Sequence, residues 1–320
     1  MKISKKTKLF LLSKLALALL IVFCFYFAVL TQSQKRQKII GVSYMTMNNS
    51  FYQVLNEEVE KRVDARADKL IIRDPALDAQ KQVNQINDFI KKGASAIIIN
   101  PVDGNNNKLI AILNKAHKKG IKIVVVDSQM ADKAHVDVTL LSDNYQAGVL
   151  CAKALMKKKK RANILLLEHY SAMSANDRIR GFTDTLFNKN YHVVGKLNTL
   201  GQSEYAYPAV LKRLKTQADF DTIMSLNDQA AEGAIAALDS QKVKQVGVYS
   251  VDGSANMKQL LLNNQNAIAT AAQSPKEMGK LAYKLTYDLL AGKSVKSKIK
   301  LPVHLITKDN IKNYNVTGWQ

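Results

Sequence analysis

From Ile39 onward, short runs of β-branched and apolar residues alternate with longer amphipathic stretches, and that alternation leaves few folds open. Ile39 to Tyr44, Lys69 to Arg73, Ala96 to Asn100, Lys122 to Val126 and Val136 to Leu141 read as buried strands. Between them, stretches near Phe51 to Arg66, Asp78 to Lys92 and Asn105 to Lys119 read as helices, two of them followed by the C-terminal glycines Gly93 and Gly120. These βαβ units predict one doubly wound domain with a largely parallel sheet. The alternation then restarts at Asp143. Helices Tyr145 to Lys157, Ala175 to Lys189, one from Tyr205, Gln229 to Ser240 and Ala255 to Asn263 precede strands Ile164 to Glu168, His192 to Leu197, Thr222 to Leu226, Gln245 to Val251 and Ala267 to Ala271. A second doubly wound domain follows. Helix Pro275 to Ala291 and strand Val303 to Thr307 come too late to form a third and are expected to be shared between the two.

Residues 1–38 differ in character. Lys2, Lys5, Lys6 and Lys8 precede Leu15 to Leu30, where the Tyr26 hydroxyl is the one polar side-chain group. With Leu9 to Ser13 added and Lys14 snorkelling, the segment reaches the roughly 20 residues that span a bilayer, so an export signal, an anchor or both is expected. No A-x-A cleavage site stands out, and the Ile21-Val22-Phe23 preceding Cys24 lacks the small residue that lipidation requires. The expectation is an uncleaved anchor, cytoplasmic at its N-terminus, with Gln32 to Lys38 as a polar spacer and the remainder outside the cell.

Net charge is +21, with 47 Lys and Arg against 26 Asp and Glu. The lysines are scattered, and no basic stripe with interleaved aromatics marks a nucleic-acid surface. Two cysteines, Cys24 and Cys151, supply neither a disulfide framework nor a zinc site. Lysine richness without disulfides fits a Gram-positive cell surface.

Polar residues recur where strands end, and in open α/β sheets those ends line the ligand crevice. In IIGVSYMTMNNSFY, Asn49 offers an amide beside the flat surfaces of Phe51 and Tyr52, which suits a sugar; NNS is equally an ordinary turn and Phe51 a first-turn staple. Asn100, Asp127, Asn227 with Asp228, Asp252 and Gln273 each follow an apolar run. Singly, each reads as a helix cap or turn. Together they supply carboxylates and amides for a polyhydroxyl ligand, to which Arg178 could donate in a fork. No G-x-S-x-G, H-E-x-x-H, Walker A or G-x-G-x-x-G pattern occurs, so no catalytic, cofactor or metal residue is assigned. Of five histidines only His169, beside Glu168 at a strand end, could reach the crevice, and it reads as a satisfied polar residue.

Eight short motifs stand in the order found in the ribose- and galactose-type periplasmic sugar-binding proteins, which share their ligand domain with lactose-repressor-like regulators. They are MNNSFY (47–52), INPVD around Asn100, VVVDS with Asp127 and Ser128, SDNYxAG (142–148), NDRIRGF with Arg178, LNDQAAEGA (226–234), VDGS with Asp252 and AAQSPKEMG ending at Gly279. The chain resembles that family from about Ile39 to Leu305. The resemblance implies two Rossmann-like lobes joined by three crossover strands near 141–142, 272–273 and 301–304, closing on a monosaccharide. It assigns residues 39–141 and 273–300 to an N-terminal lobe, and 142–272 and 301–320 to a C-terminal lobe. It places ligand contacts on Asn49, Phe51, Tyr52, Asn100, Asp127, Arg178, Asn227, Asp252 and Gln273, with Ser128 beside Asp127 added as a tenth ligand-binding residue. Two positions depart from the ribose type: Ser128 stands where an arginine is usual, and Gly201 where a second stacking aromatic is usual. A non-enzymatic receptor serving an ATP-binding-cassette permease is implied, with a sugar sensor signalling to a membrane histidine kinase as the alternative.

Overall fold

The computed structural model describes residues 5–33, 37–186, 190–217 and 219–319. Two compact units are present, Met1–Lys38 and Ile39–Gln320. The first holds one helix, α1 (Lys5–Ser33), whose apolar side chains from Leu15 to Tyr26 are exposed. Its expected role as a membrane crossing is not supported, because among the described residues no helix is long and apolar enough to cross a membrane. Of the expected spacer, residues 34–36 lie outside the described residues.

In the second unit the chain runs β1 (Ile39–Ser43), α2 (Ser50–Asp64), β2 (Lys69–Arg73), α3 (Ala79–Lys91), β3 (Ala96–Ile99), α4 (Asn107–Lys118), β4 (Lys122–Val126) and β5 (Val138–Ser142). It continues as α5 (Asn144–Lys158), β6 (Ala162–Glu168), α6 (Met173–Thr185), β7 (Tyr191–Asn198), α7 (Ser203–Thr216), β8 (Thr222–Ser225), α8 (Asp228–Ser240), β9 (Gly247–Asp252), α9 (Ala255–Asn263) and β10 (Ala267–Ala272). The last elements are α10 (Pro275–Leu290), β11 (Lys298–Leu301), β12 (His304–Thr307) and a 3-10 turn, Ile311–Asn313. Two six-stranded sheets result, ordered β2-β1-β3-β4-β5-β11 and β7-β6-β8-β9-β10-β12. Every pairing is parallel except β10 with β12. The chain passes between the sheets three times: after β5, after β10 and between β11 and β12.

Period-two alternation explains why these strands are apolar throughout. Ile97 and Ile99 of β3 face a core shared with α3 and α4, while Ile98 faces the opposite core beneath α2 and α10. In the second sheet, Leu165 and Leu167 of β6 pack under α7 and α8, and Ile164 and Leu166 pack toward α5 and α6. Strand β11 was not anticipated. Its four residues, KIKL, place Lys298 and Lys300 outward on a sheet edge, leaving only Ile299 and Leu301 against the core, too short a signal to register in sequence. The helix expected over Ala175 to Lys189 instead runs Met173–Thr185, with residues 187–189 outside the described set.

Glycines set the spacing of the helix pair that carries the site arginine. A Cβ on Gly148 of α5 would lie 1.9 Å from the Arg178 carbonyl oxygen, and one on Gly181 of α6 would lie 2.0 Å from the Tyr145 carbonyl oxygen. The two backbones therefore touch reciprocally, and no rotamer change can relieve an added methyl. Gly148→Ala is expected to lower stability by about 1–3 kcal/mol, read as a fall of several degrees in Tm. An unchanged melting curve would show that α5 and α6 can separate freely.

Candidate functional site

The carboxyl ends of both sheets open onto one interlobe cleft, and the chain turns sharply there. Asp127, directly after β4, has φ of 63°, and Asp252, ending β9, has φ of 142°. Aspartate tolerates a left-handed backbone better than branched residues do, and such strain persists only where surrounding contacts over-determine it. At Asp127 those contacts are its own N–H, donated to the Leu140 carbonyl at 2.9 Å, and the Ser128 N–H, donated to Val126 at 2.7 Å. The aspartate side chain is thereby turned from the sheet into the cleft.

Arg178 of α6 stands between the two aspartates and is 4% exposed. Its Nε donates to Asn144 Oδ1 at 2.7 Å and its Nη1 to the Leu226 carbonyl at 3.0 Å. The guanidinium also faces Asp127 Oδ1 at 3.4 Å and Asp252 Oδ1 at 3.5 Å. Asp127 Oδ2 accepts from the Tyr52 hydroxyl at 2.9 Å and the Asn100 amide at 3.3 Å. Asp252 Oδ1 accepts from the Gln273 amide at 2.6 Å. One buried cation thus serves two buried anions, one from each sheet. Burial pushes the Asp127 carboxyl above its ordinary range against the pull of Arg178, Tyr52 and Asn100. Asp252 is pushed further by burial and by the neighbouring Asp228, with Arg178 opposing. Glu232, nearby on α8, is raised to about 7 by burial and by Asp228.

Around this trio lies a small cavity of about 30 Å³. Asn49, Phe51, Tyr52 and Asp127 line it from the first sheet's side, and Arg178, Asn227, Asp252 and Gln273 complete the wall. Phe51 and Tyr52 meet edge to face at 5.4 Å, and Phe51 is held from behind by Trp319 at 5.8 Å. Two expected contact residues do not line the cavity. Asn100 sits behind the wall, its Oδ1 accepting from Met45 N at 3.1 Å while its amide braces Val126 and Asp127. Ser128 Oγ accepts from Ser174 N at 3.2 Å, which caps α6 from the other lobe where the helix's own N-cap residue, Ala172, has no side-chain oxygen to offer. Asn49 and Asn227 combine both roles anticipated for them, since each caps a helix, α2 or α8, from the cavity wall. Asn227 Nδ2 additionally donates to the Gly201 carbonyl at 2.9 Å.

His169, the one histidine expected to be able to reach the crevice, lines the cavity, as do Ser174, Leu200 and Gln202, which were missed in sequence. They lie on irregular loops after β6 and β7 or at a helix start, where no periodicity identifies a wall. Trp319, near the C-terminus, carried no signal at all. Above the cavity the two sides touch: Gln129 Nε2 donates to Asp177 at 3.0 Å, Asn48 Nδ2 to Gln202 at 3.1 Å, and Gln229 Nε2 to the Asn48 carbonyl at 2.8 Å. Among the described residues no group of three or more His, Cys, Asp or Glu side chains could hold a metal ion.

Fold and cleft together define a two-lobed α/β binding protein with a closed, polar interlobe cavity. The sequence profile of the periplasmic binding protein domain matches residues 40–294. The ribose import binding protein RbsB of Bacillus subtilis is 30% identical over 276 residues, 86% of this chain and 88% of that protein. A D-apiose import binding protein of Paraburkholderia graminis is 26% identical over 286 residues, 88% of this chain and 90% of its own. The crystal structure of an ABC transporter solute-binding protein from Mycobacterium smegmatis with bound glycerol superposes with a TM-score of 0.82 at 26% identity, covering 89% of this chain and 99% of that one. The chain therefore belongs to the periplasmic binding proteins of the ribose and galactose type.

The raised carboxyls carry a stability consequence with a definite sign. Between the ordinary carboxylate range and the raised folded values, the native state binds more protons than the unfolded chain, so stability falls as pH rises through that window. Asp252→Asn removes one buried anion and leaves Arg178 paired with Asp127. It is expected to raise the Tm of the ligand-free protein at pH 7 by a few degrees and to reduce the gain on acidification to pH 5. A lower Tm for the variant at pH 7 would show that the aspartate is held at no net cost.

Proposed function

We propose that this protein is a non-enzymatic extracytoplasmic receptor that closes its two lobes on a neutral monosaccharide, or a closely related polyol, and presents it to an ATP-binding-cassette permease. The observation that carries the reading is Arg178 held between Asp127 and Asp252 beside the Phe51 and Tyr52 rings. Fixed carboxylates accept hydroxyl protons, the guanidinium donates to ring or hydroxyl oxygens, and the rings cover the apolar face of a sugar. The names of the relatives, import binding proteins for ribose and D-apiose, support the same class. Residues 39–141 and 273–300 would move as one lobe and 142–272 and 301–320 as the other, hinged where the chain passes between the sheets. Asn100 would act by holding Asp127, and Ser128 by stabilising the closed form. The exposed apolar side chains of α1, with lysines before them, support its reading as an export and membrane-attachment segment, which cell fractionation of the full chain tests.

The deciding experiment is a thermal-shift panel of pentoses, hexoses, polyols and furanosyl sugars on the protein from residue 37 onward. A sugar at about 100 times its Kd stabilises the native state by roughly 2.7 kcal/mol, a shift of several degrees. Asp127→Ala is expected to abolish that shift while remaining folded. Silence of the wild-type protein across the panel would sink the reading, and recovery of a histidine kinase in place of a permease would replace its transport half. A second variant examines closure. Ser128→Ala removes a helix cap made only across the closed cleft, expected at about 1 kcal/mol, so Kd should rise roughly fivefold with Tm of the free protein little changed. Unaltered affinity would exclude Ser128 from closure.

A further inference from the structure

His169 follows β6 on the second lobe, lines the cavity and is 3% exposed. Its Nε2 lies 3.2 Å from Ser171 Oγ. That hydroxyl donates its single proton to the Val102 carbonyl, on the opposite lobe, at 3.3 Å. With the proton so used, Ser171 Oγ can only accept from the imidazole, which places the ring hydrogen on Nε2. Burial holds the imidazole neutral, its pKa lowered to about 4 with Asp103 opposing the shift. A neutral ring with hydrogen on Nε2 has a bare acceptor at Nδ1, and Nδ1 has no hydrogen-bond partner among the described residues.

A second acceptor stands open in the same wall. Gln273 is 1% exposed, its amide nitrogen is committed to Asp252, and its Oε1 is buried without a partner. A buried acceptor left unpaired is unfavourable, and a ligand hydroxyl satisfies it.

We infer that His169 is a specificity-determining residue: its Nδ1 accepts a hydrogen bond from one ligand hydroxyl, and its Nε2 ties that recognition through Ser171 to the lobe carrying Val102. This rests on the receptor reading above and narrows its ligand class. Together with Gln273 Oε1, it demands a ligand offering free hydroxyl donors at two separate positions, and it disfavours sugars deoxygenated or O-methylated there. Because the Ser171 contact spans the cleft, the imidazole is oriented for the ligand only when the lobes are together.

The test takes from D-ribose, D-apiose, D-allose, D-fucose and myo-inositol the one that binds best by calorimetry, then its monodeoxy derivatives, against wild type, His169→Phe and His169→Asn. In wild type, one monodeoxy derivative is expected to bind about tenfold or more weakly than the parent. That penalty should vanish in His169→Phe, which keeps a flat ring and loses both nitrogens, and should largely persist in His169→Asn, whose Oδ1 occupies the place of Nδ1. Equal penalties in wild type and His169→Phe at every position would overturn the assignment. Long-range proton–nitrogen NMR of the ligand-free wild type provides a readout that needs no sugar and no variant. A neutral ring protonated at Nε2 is expected, and a proton on Nδ1 overturns the proposal whichever ligand binds. Absence of binding by every parent sugar overturns the receptor reading itself, and is thereby told apart from a failure of His169 alone.

Discussion

The interior of this protein turns on one guanidinium placed between two carboxylates that belong to different sheets. Removing Arg178, Asp127 and Asp252 from water is unfavourable, and the arrangement persists because each is tied into further contacts: Asn144 and Leu226 for the arginine, Tyr52 and Asn100 for one aspartate, Gln273 for the other. The carboxyls remain pushed up nonetheless, since one cation shared by two anions does not offset their burial. A cavity with more acceptor capacity than donors follows directly. It is the complement of a hydroxyl-rich ligand, and the reason an empty site would be less stable than a filled one.

Backbone geometry also positions this trio. The left-handed turns at Asp127 and Asp252 aim the carboxylates out of the sheet, and the contact between α5 and α6 through Gly148 and Gly181 fixes how deeply Arg178 enters. Two links then make the closed cleft selective for geometry as well as for chemistry. Ser128 caps α6 across the cleft, and the His169, Ser171 and Val102 chain crosses it on the other flank of the same helix start. Where the resemblance to the ribose type leads one to expect an arginine after the strand-end aspartate, Ser128 stands here, and its hydroxyl caps α6 from the other lobe.

Both sheets were legible in the sequence because their strands are buried on two faces and therefore uniformly apolar. Strand ends were legible because Asn100, Asp127, Asn227, Asp252 and Gln273 interrupt those runs abruptly. Division of labour among them was not. Asn100 and Asp127 carry the same local signal, a polar residue after three β-branched ones, yet one braces from behind and the other faces the cavity. Asn49 and Asn227 were balanced between capping and cavity wall, and each caps a helix through its Oδ1 while also lining the cavity. For α1, hydrophobicity counted along the sequence suggested a membrane crossing, whereas among the described residues no helix is long and apolar enough to cross a membrane.

By itself the sequence determined the alternating α/β order, the division into two doubly wound domains and the polar inventory at the strand ends, since periodicity and composition are local properties that survive without coordinates. Only the tertiary structure decided which of those polar groups meet. Arg178 and its aspartates are 51 and 74 residues apart, and Trp319 reaches Phe51 from the far end of the chain. His169 became a cavity residue through a serine on its own loop and a carbonyl on the opposite lobe. Contacts of that kind depend on how loops fold back over the ends of a finished sheet, and loop conformation carries no period from which they could be read.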